Sequence, residues 1–270
     1  MQIHHRINGK PDGCLNPLDR GFAYGDGVFR TLPVKKGVPL SWRRHYRKLH
    51  DDCNALAIIC PSEDLLLSDI EHLCPDKDDC VLKIVVTRGE SARGYALPPL
   101  AQPNRIVSRS AFPSYPLQNS TEGVSLHLCR LRLSSQPLLA GIKHLNKLEN
   151  VLARMEWRDP DIADGLLLDQ SGHVIECTMS NLFVRHGNRL ATPDLGHCGV
   201  AGVTRDRIVE LAPGLGYEVV TTSFDLETLL TGDEVIICNS LIGVWQVRQL
   251  EGSRWPAGSL AEKLRPLLND

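Results

Sequence analysis

Apolar and polar residues in the first third of the chain recur in patterns that predict strands and a helix. Residues 81–87 (VLKIVVT) and 105–108 (RIVS) are rich in β-branched side chains and predict two strands. Apolar positions within 49–59 recur at helical spacing. The stretch 111–120 (AFPSYPLQNS) contains two prolines and has no apolar period, which is typical of a linker. The pattern therefore predicts a smaller α/β domain over 1–110.

Beyond the linker, the sequence predicts two successive hairpins. The apolar run 166–168 leads to a turn at Gly172, and a second strand runs through Glu176. Strands at 182–185 and 189–192 form the next hairpin, so residues 176–181 are predicted to be the corner between the two hairpins. The remaining elements are strands at 219–220 and 234–238 and a helix at about 204–212. Together these elements predict a larger domain over 121–270.

A lysine precedes a predicted amphipathic helix in this larger domain. Five apolar residues share one face of that helix: Leu145, Leu148, Val151, Leu152 and Met155. Asn146 and Glu149 are spaced as an N-cap and its return contact, which predicts that the helix begins just after Asn146. Lys143 follows an apolar stretch and lies just before this start. Its amine is either partly desolvated, and then a nucleophile or base, or an ordinary solvated lysine.

At two further positions the sequence allows either a binding role or an ordinary structural role. Glu176 is followed by small and polar residues at the predicted corner, where a buried carboxylate would need a cationic partner. Its alternative is a plain surface residue at a strand end. In the segment that begins at Gly199, glycines precede Thr204, which is predicted to cap the next helix. Such a helix start binds anions through its free N–H groups, although glycine-rich helix entries are also common without a ligand.

Composition narrows the classes of function. Of 270 residues, 42% are hydrophobic and 23% are charged, as in ordinary globular proteins. Lys plus Arg (30) nearly balance Asp plus Glu (32), so neither nucleic acid nor a membrane is an expected partner. The amino-terminal residues have no apolar signal segment, and a cytoplasmic location is expected. The nine cysteines include no Cys-x-x-Cys pair, and the histidines lack ligand companions, so no disulfide framework and no metal site are predicted.

The order of motifs along the chain resembles that of the fold-type IV pyridoxal-phosphate enzymes, a group of D-amino-acid and branched-chain aminotransferases and their lyase relatives. The motifs are DRGFAYGDGVF at 19–29, GIKHLN at 141–146, E-x4-NLF at 176–183, GVTRD at 202–206 and DEVIICNS at 233–240. The resemblance implies an α/β (α+β) protein with a smaller α/β domain, a linker at 111–120 and a larger pseudo-barrel domain. It also implies a homodimer and the cofactor pyridoxal 5'-phosphate.

The resemblance also implies roles for individual residues. Lys143 would hold the cofactor as a Schiff base, and Glu176 would face the pyridine nitrogen. Residues expected to complete the cofactor site are Lys48, Ser180, Asn181, Gly202, Val203, Thr204 and Ser240. Lys48 stands where the family usually has an arginine, so a cation is kept at this position but the bidentate fork for phosphate is lost. Residues expected to meet the substrate are Thr31, Arg88, Arg93, Tyr95 and Arg105, and each of these arginines is equally compatible with a surface position.

Within the family the likeness is to its lyase members, through AGIKHLNKLEN at 140–150, TRG at 87–89 and RGY at 93–95. The implied reaction splits 4-amino-4-deoxychorismate into 4-aminobenzoate and pyruvate, a step of folate biosynthesis, with Lys143 as the acid and base. A D-amino-acid or branched-chain aminotransferase would use the same lysine and glutamate and is the alternative. A chain that keeps the fold as a non-catalytic binding partner is a third hypothesis, which the substitution at Lys48 leaves open.

Overall fold

The computed structural model describes residues 4–268. The chain forms two compact units. The first unit contains the residues through Pro113 and the short segment Ile142–Asn146, called the lysine segment below. The second unit contains Ser114–Gly141 and the residues from Lys147 onward. The chain therefore leaves the second unit for five residues, contributes the lysine segment to the first unit, and returns.

The first unit is a five-stranded sheet with helices. Its elements are β1 (His4–Ile7), α1 (Arg20–Tyr24), β2 (Gly27–Lys35), β3 (Val38–Pro39), α2 (Trp42–Ala55), α3 (Glu63–Leu73), β4 (Cys80–Thr87) and β5 (Asn104–Ser110). The strands lie in the order β1-β5-β4-β2-β3, and all neighbours are antiparallel. Because β3 pairs only with Val34 and Lys35, the beginning of β2 is left for another partner.

The core of the first unit forms between this sheet and the two longer helices. Successive side chains of a strand point to opposite faces, and the buried face of β2 carries Val28, Leu32 and Val34. These residues share a core cluster with Leu49 of α2 and Ile142 of the lysine segment. Arg30 lies at the intervening position of the same face, so a guanidinium group is buried beside an apolar core.

Several predicted elements of the first unit are confirmed. The predicted strands at 81–87 and 105–108 are parts of β4 and β5. The helix predicted over 49–59 is right only in its first part, because α2 begins at Trp42 and ends at Ala55. Ala57 has a positive φ of 51°, which is incompatible with a continuing helix.

The second unit is built on a mixed sheet of nine strands. Its helices are α4 (Gln118–Thr121), α5 (Leu148–Arg154), α6 (Val203–Leu211), α7 (Leu226–Leu230) and α8 (Leu260–Leu264), with 3-10 turns at Ala212–Leu215 and Arg265–Leu268. Its strands are β6 (Val124–Leu133), β7 (Ile162–Asp169), β8 (Val174–Cys177), β9 (Asn181–His186), β10 (Arg189–Pro193), β11 (Glu218–Thr222), β12 (Glu234–Asn239), β13 (Gly243–Leu250) and β14 (Ser253–Arg254). The strand order is β11-β10-β9-β12-β13-β6-β7-β8, with β14 beside β13. The predicted α/β class is therefore confirmed.

Both predicted hairpins are present in the second unit. β7 and β8 are antiparallel and join through a turn in which Gly172 has φ +86°. β9 and β10 are antiparallel and join at Gly187, which has φ +60°. Positive φ favours glycine, so these turn residues fix the register of both hairpins. The predicted corner at 176–181 joins β8 to β9 and is called the glutamate corner below.

The two units differ from the predicted contiguous ranges 1–110, 111–120 and 121–270 at the lysine segment. A five-residue stretch has no local pattern that reveals which distant strand it joins. Part of the predicted linker is also ordered as helix α4, although the stretch before it has neither helix nor strand. Within residues 4–268, no helix is long and apolar enough to cross a bilayer.

Candidate active site

Lys143 lies on an extended segment that pairs with the beginning of β2. The backbone N–H of Phe29 donates to the carbonyl of Lys143 at 2.9 Å, and the N–H of Leu145 donates to the carbonyl of Gly27 at 2.9 Å. A β-bridge joins Val28 to His144 between these two bonds. The lysine is therefore held by strand pairing with residues that are far from it in sequence.

The helix cap predicted beside the lysine is wrong. Helix α5 begins at Leu148 with Lys147 as its N-cap, and no side chain caps it. Asn146 belongs to the first unit, where its side-chain amide donates to the carbonyl of Gly25 at 3.4 Å. Glu149 accepts a hydrogen bond from the backbone N–H of Ser134 at 2.9 Å instead of returning to the predicted cap. Pairing of the lysine segment with β2 thus overrides the local capping pattern.

Lys143 is partly shielded from water in the first unit, which is one of the two alternatives that the sequence left open. The lysine is half-buried, and its Nζ lies 4.6 Å from the ring centroid of Phe29. A cation over an aromatic face is attracted by the ring quadrupole. The neighbouring His45 is 4% exposed, and its pKa is lowered to about 3 by burial and then by the charges of Arg30 and Lys143. His45 is therefore neutral near pH 7.

Lys48 lies in α2, three residues beyond His45 in the helix. Its side chain is half-buried, and its backbone carbonyl accepts a hydrogen bond from Arg30 at 3.2 Å. Burial raises the pKa of Asp52, and the charge of Lys48 is one of the influences that oppose this rise. Lys48 thus supplies positive charge on the buried side of α2, and its role toward phosphate stays a prediction.

Two of the arginines proposed to bind substrate are engaged in ion pairs within the first unit. Arg88 is 6% exposed, donates to both carboxylate oxygens of Asp26 and also reaches backbone carbonyls at the end of α2. Arg105 donates to Asp69 at 2.8 Å. Guanidinium groups with these partners serve the fold, so the contacts argue against a substrate role for Arg88 and Arg105.

The other substrate candidates are accessible. Arg93 and Tyr95 are exposed, and the ring of Tyr95 lies 5.3 Å from that of Tyr24. The buried Arg20 donates to the carbonyls of residues 94–96, which anchors this loop. Sequence reasoning missed Arg20 as the anchor, although it lies in the quoted DRGFAYGDGVF motif. Thr31 is half-buried on β2, on the opposite face of the strand from the core.

In the second unit, the candidate Glu176 is buried and held by a backbone hydrogen bond. It lies on β8 and is 5% exposed, and its Oε2 accepts a hydrogen bond from the backbone N–H of Val200 at 2.8 Å. Gly199 permits the approach, because a Cβ there would lie 2.8 Å from atoms of Ile175 and Leu195 and its φ is +84°. The glutamate corner thus holds a buried anion in a fixed position.

Asn181 connects the glutamate corner to the loop that precedes α6. Its amide nitrogen donates to the carbonyl of Val200 at 2.8 Å, and its amide oxygen accepts from the backbone N–H of Gly202 at 3.1 Å. A Cβ on Gly202 would lie 2.4 Å from that oxygen, so the residue must be small. These contacts indicate that Asn181 positions the loop rather than binding a ligand itself.

The beginning of α6 can hold an anion. Gly202 is its N-cap and no side chain caps the helix, so the predicted cap by Thr204 is wrong: this threonine lies inside the first turn. The first-turn N–H groups, including those of Val203 and Thr204, point out of the helix start, where the helix dipole is positive. The hydroxyl oxygens of Thr204 and Ser240 are 3.5 Å apart. This arrangement fits a phosphate group.

A buried aspartate that the sequence analysis missed supports the glutamate corner. Asp164 is 1% exposed and accepts hydrogen bonds from the hydroxyls of Thr178 and Ser180, both at 2.5 Å, and from the N–H of Gly165 at 2.8 Å. Burial raises the pKa of Asp164 against the opposing effect of these donors. Because the hydroxyl of Ser180 is used here, the predicted contact of Ser180 with a cofactor is not supported. A lone aspartate just before the apolar run at 166–168 gave no signal of this role.

Each unit therefore contains residues that fit one part of pyridoxal 5'-phosphate. The first unit presents an amine on an ordered segment, at Lys143. The second presents a buried carboxylate suited to a protonated ring nitrogen, at Glu176, and an uncapped helix start with two hydroxyls suited to phosphate.

Comparison with known proteins agrees with this combination. The family model of amino-transferase class IV matches residues 27–250, and the chain belongs to this family. The chain is 37% identical over 267 residues to the aminodeoxychorismate lyase of Vibrio harveyi, which covers 97% of this chain and 98% of that one. It is similar to the crystal structure of 4-amino-4-deoxychorismate lyase from Pseudomonas aeruginosa, with a TM-score of 0.94, 45% identity and 98% of both chains covered.

Aminotransferases of the same family are also similar to this chain. The D-alanine aminotransferase of Bacillus licheniformis is 28% identical over 260 residues, which covers 94% of this chain and 89% of that one. The alternative activity considered from the sequence is thus represented among the relatives.

Proposed function

We propose that this protein is a pyridoxal-phosphate lyase that converts 4-amino-4-deoxychorismate to 4-aminobenzoate and pyruvate. The observation that carries the proposal is the 45% identity and 0.94 TM-score to a lyase of that name over 98% of both chains. The ordered lysine and the buried glutamate support it, because a chain that had lost catalysis would be under no constraint to keep both groups.

The proposed roles follow from the chemistry that each residue offers. When bound, the cofactor withdraws electrons from the carbon that carries the substrate amine. Lys143 would hold the cofactor in the resting protein, and its amine, once free, would take the proton from that carbon and return a proton to the departing three-carbon group. Glu176 keeps a proton on the ring nitrogen. The ring carbon–oxygen bond breaks as the product becomes aromatic.

The remaining roles concern binding. Val203, Thr204 and Ser240 are proposed to hold phosphate, with Lys48 supplying a positive charge. Asn181 and Ser180 are proposed to act indirectly, through the loop and through Asp164. Substrate carboxylates are proposed to meet Arg93, Tyr95 and Thr31. These are the accessible members of the predicted set.

A homodimer is proposed as the working assembly. The apolar face predicted for this helix is present in part, because Leu145 lies outside α5, in the lysine segment. The other four residues lie on α5 or at its C-cap and are exposed in the single chain: Leu148 is 74%, Val151 53%, Leu152 54% and Met155 72% exposed. An apolar patch of this kind is typical of a protein interface. Size-exclusion chromatography with light scattering should give twice the chain mass, and Val151→Glu with Met155→Glu should shift it toward the single-chain mass. Ile59→Glu, at another exposed apolar residue, should leave the mass unchanged. A cytoplasmic location stays a prediction from sequence.

The decisive experiment supplies the substrate enzymatically. Purified protein is incubated with chorismate, glutamine and an aminodeoxychorismate synthase, and 4-aminobenzoate and pyruvate are measured. Both should form in equal amounts, and Lys143→Ala should lower their rate by more than about a thousandfold. Transfer of an amino group from D-alanine or a branched-chain amino acid to a 2-oxo acid, without 4-aminobenzoate, would instead favour the aminotransferase alternative.

A spectrum separates these enzymes from a non-catalytic binding protein. The protein loaded with pyridoxal 5'-phosphate should show the absorbance band of the cofactor joined to lysine, and Lys143→Ala should lack it. A colourless protein that cannot be loaded, or a Lys143→Ala variant that keeps the band, would reject the role of Lys143.

A further inference from the structure

The backbone of the lysine segment has partners in both β2 and α2. The carbonyl of Lys143 and the N–H of Leu145 bond to Phe29 and Gly27 of β2. The N–H of Lys143 donates instead to the Oδ2 of Asp52, in α2, at 3.2 Å. The backbone of the proposed cofactor lysine is thus fixed between a strand and a side chain of α2.

Asp52 is in turn held by Arg30. The guanidinium group donates to the same Oδ2 of Asp52 and to the backbone carbonyl of Lys48, one helical turn earlier. Arg30 is 2% exposed and Asp52 is 6% exposed, so both members of this ion pair are buried. Burying a charge pair is costly unless its geometry and additional hydrogen bonds compensate. Here the additional bonds are those to Lys143 and Lys48.

His45 belongs to the same cluster as Arg30 and Lys143. His45, on the buried face of α2, is kept neutral by burial and by the nearby charges of Arg30 and Lys143. Its Nδ1 has no hydrogen-bond partner among the described residues. The cluster therefore combines the neutral ring of His45, the charged groups of Arg30 and Lys143, and the carboxyl group of Asp52. Burial raises the pKa of Asp52, and Arg30, the backbone N–H of Lys143 and Lys48 oppose that rise.

We propose that Arg30 and Asp52 form a buried clamp that fixes the backbone of Lys143 and thereby directs its amine toward the cofactor. Asp52 is then a positioning residue, since it touches the lysine backbone and not the reacting atoms. Arg30 orients Asp52 by joining it to the helix backbone. The inference rests on the proposed function, because it assigns the clamp to the lysine that is proposed to hold the cofactor.

The first unit provides a matched control for this clamp. Asp69 of α3 is 2% exposed and accepts hydrogen bonds from Arg6 at 3.2 Å and Arg105 at 2.8 Å. It is a buried carboxylate paired with arginine, like Asp52, but its partners do not include the lysine segment. Asp69→Asn should therefore reproduce the structural cost of losing a buried ion pair without the effect on Lys143.

The test compares Asp52→Asn with Asp69→Asn in the full chain loaded with pyridoxal phosphate. Thermal unfolding should show a similar loss for both. For Asp52→Asn, kcat should fall roughly ten- to a hundredfold with KM changed less than about threefold, because the amine is misplaced but binding contacts persist. The pH midpoint of the cofactor band should fall by about one unit, since a negative charge near the lysine is lost while Arg30 stays.

Equal kcat and equal band midpoints in the two variants would overturn the clamp and leave Asp52 a structural residue. If Asp52→Asn does not fold, Arg30→Lys replaces it: this variant keeps the charge but cannot reach Asp52 and the Lys48 carbonyl together, and it should shift the same midpoint by a smaller amount. Failure of the proposed function is distinguishable, because the unsubstituted protein and Asp69→Asn would then form no 4-aminobenzoate. If Lys143 does not hold the cofactor, both would also lack the lysine-dependent band.

Discussion

The lysine segment and the glutamate corner hold their functional side chains by different means. The lysine segment is a short stretch of chain held by pairing with β2 and by the buried Arg30–Asp52 ion pair. The glutamate corner continues directly from a hairpin strand, and its carboxylate is fixed by the backbone N–H of Val200. The position of the functional group therefore depends on a buried ion pair in the first case and on a backbone N–H donor in the second.

This difference has an energetic consequence. A charged clamp is sensitive to the loss of either partner, because the remaining charge is left buried without compensation. A backbone donor cannot be removed by a side-chain substitution, so the glutamate corner tolerates changes that keep its shape. Substitution of Glu176 by a residue of the same shape should accordingly alter chemistry with little loss of stability, whereas substitutions around the lysine segment should alter both.

The largest expected effect is on activity and comes from Glu176→Gln. The amide oxygen of glutamine can still accept from Val200, so the thermal unfolding midpoint should change little. The rate should fall about a hundred- to a thousandfold, because a neutral side chain no longer holds a proton on the ring nitrogen. Product formation and thermal unfolding are measured on the same preparation. A variant that is unfolded or fully active would contradict the comparison.

The second effect concerns cofactor retention at the start of α6. Gly202→Ala places a Cβ 2.4 Å from the amide oxygen of Asn181, so the loop must shift. Affinity for pyridoxal phosphate should fall about ten- to a hundredfold, because the first-turn N–H groups move away from the phosphate. Gly214→Ala is the control, since a Cβ there meets nothing within 4 Å. Equal dissociation constants for the two variants, from fluorescence titration, would remove α6 from the proposed cofactor site.

The same contrast explains what sequence could predict. The hairpins at Gly172 and Gly187 were predictable, because glycine turns and adjacent β-branched runs fix both strands locally. The family motifs also identified Lys143 and Glu176 as candidates. The pairing of the lysine segment with β2 was not predictable from spacing, and the local cap pattern at Asn146 was misleading.

Side-chain pairs between separate elements also could not be predicted from the sequence. Nothing in the sequence around Arg88 or Arg105 indicates that these arginines form ion pairs with Asp26 and Asp69, because the pairs form only when separate elements pack. Likewise the carboxylate of Asp164 finds its hydroxyl donors only through the fold. The apolar period marked one face of α5 but wrongly included Leu145, which belongs to the lysine segment, and the period does not tell whether the face is covered.

A third prediction tests the support behind the glutamate corner. Asp164→Ala should lower the free energy of unfolding by about 2–4 kcal/mol, because it leaves two hydroxyls and the Gly165 N–H without their buried acceptor. Asp194→Ala, at an exposed carboxylate of the same unit, should change it by less than about 0.5 kcal/mol. Urea unfolding measures both. Similar losses in the two variants would mean that the corner does not depend on Asp164.

The smallest effect is a difference in how the two units respond to acid. Burial raises the pKa of Asp26, but hydrogen bonds from Arg88 and Arg20 outweigh it and lower the pKa below 3.8. A lowered pKa means that the unfolded chain binds the proton more readily, so this stabilisation is complete above about pH 4 and is lost as pH falls through the folded pKa. The pKa of Asp164 is raised instead, so its contribution improves as pH falls.

Acid should therefore weaken the first unit before the second. Hydrogen exchange followed by mass spectrometry between pH 5 and pH 3 should show earlier loss of protection in β2 and β4 than in β7 and β8, after correction for the intrinsic exchange rate. Asp26→Asn should reduce the acid dependence in the first unit, since the titrating group is gone, and should leave the second unit unchanged. Parallel loss of protection in both units would show that the Asp26 ion pairs do not govern the acid response.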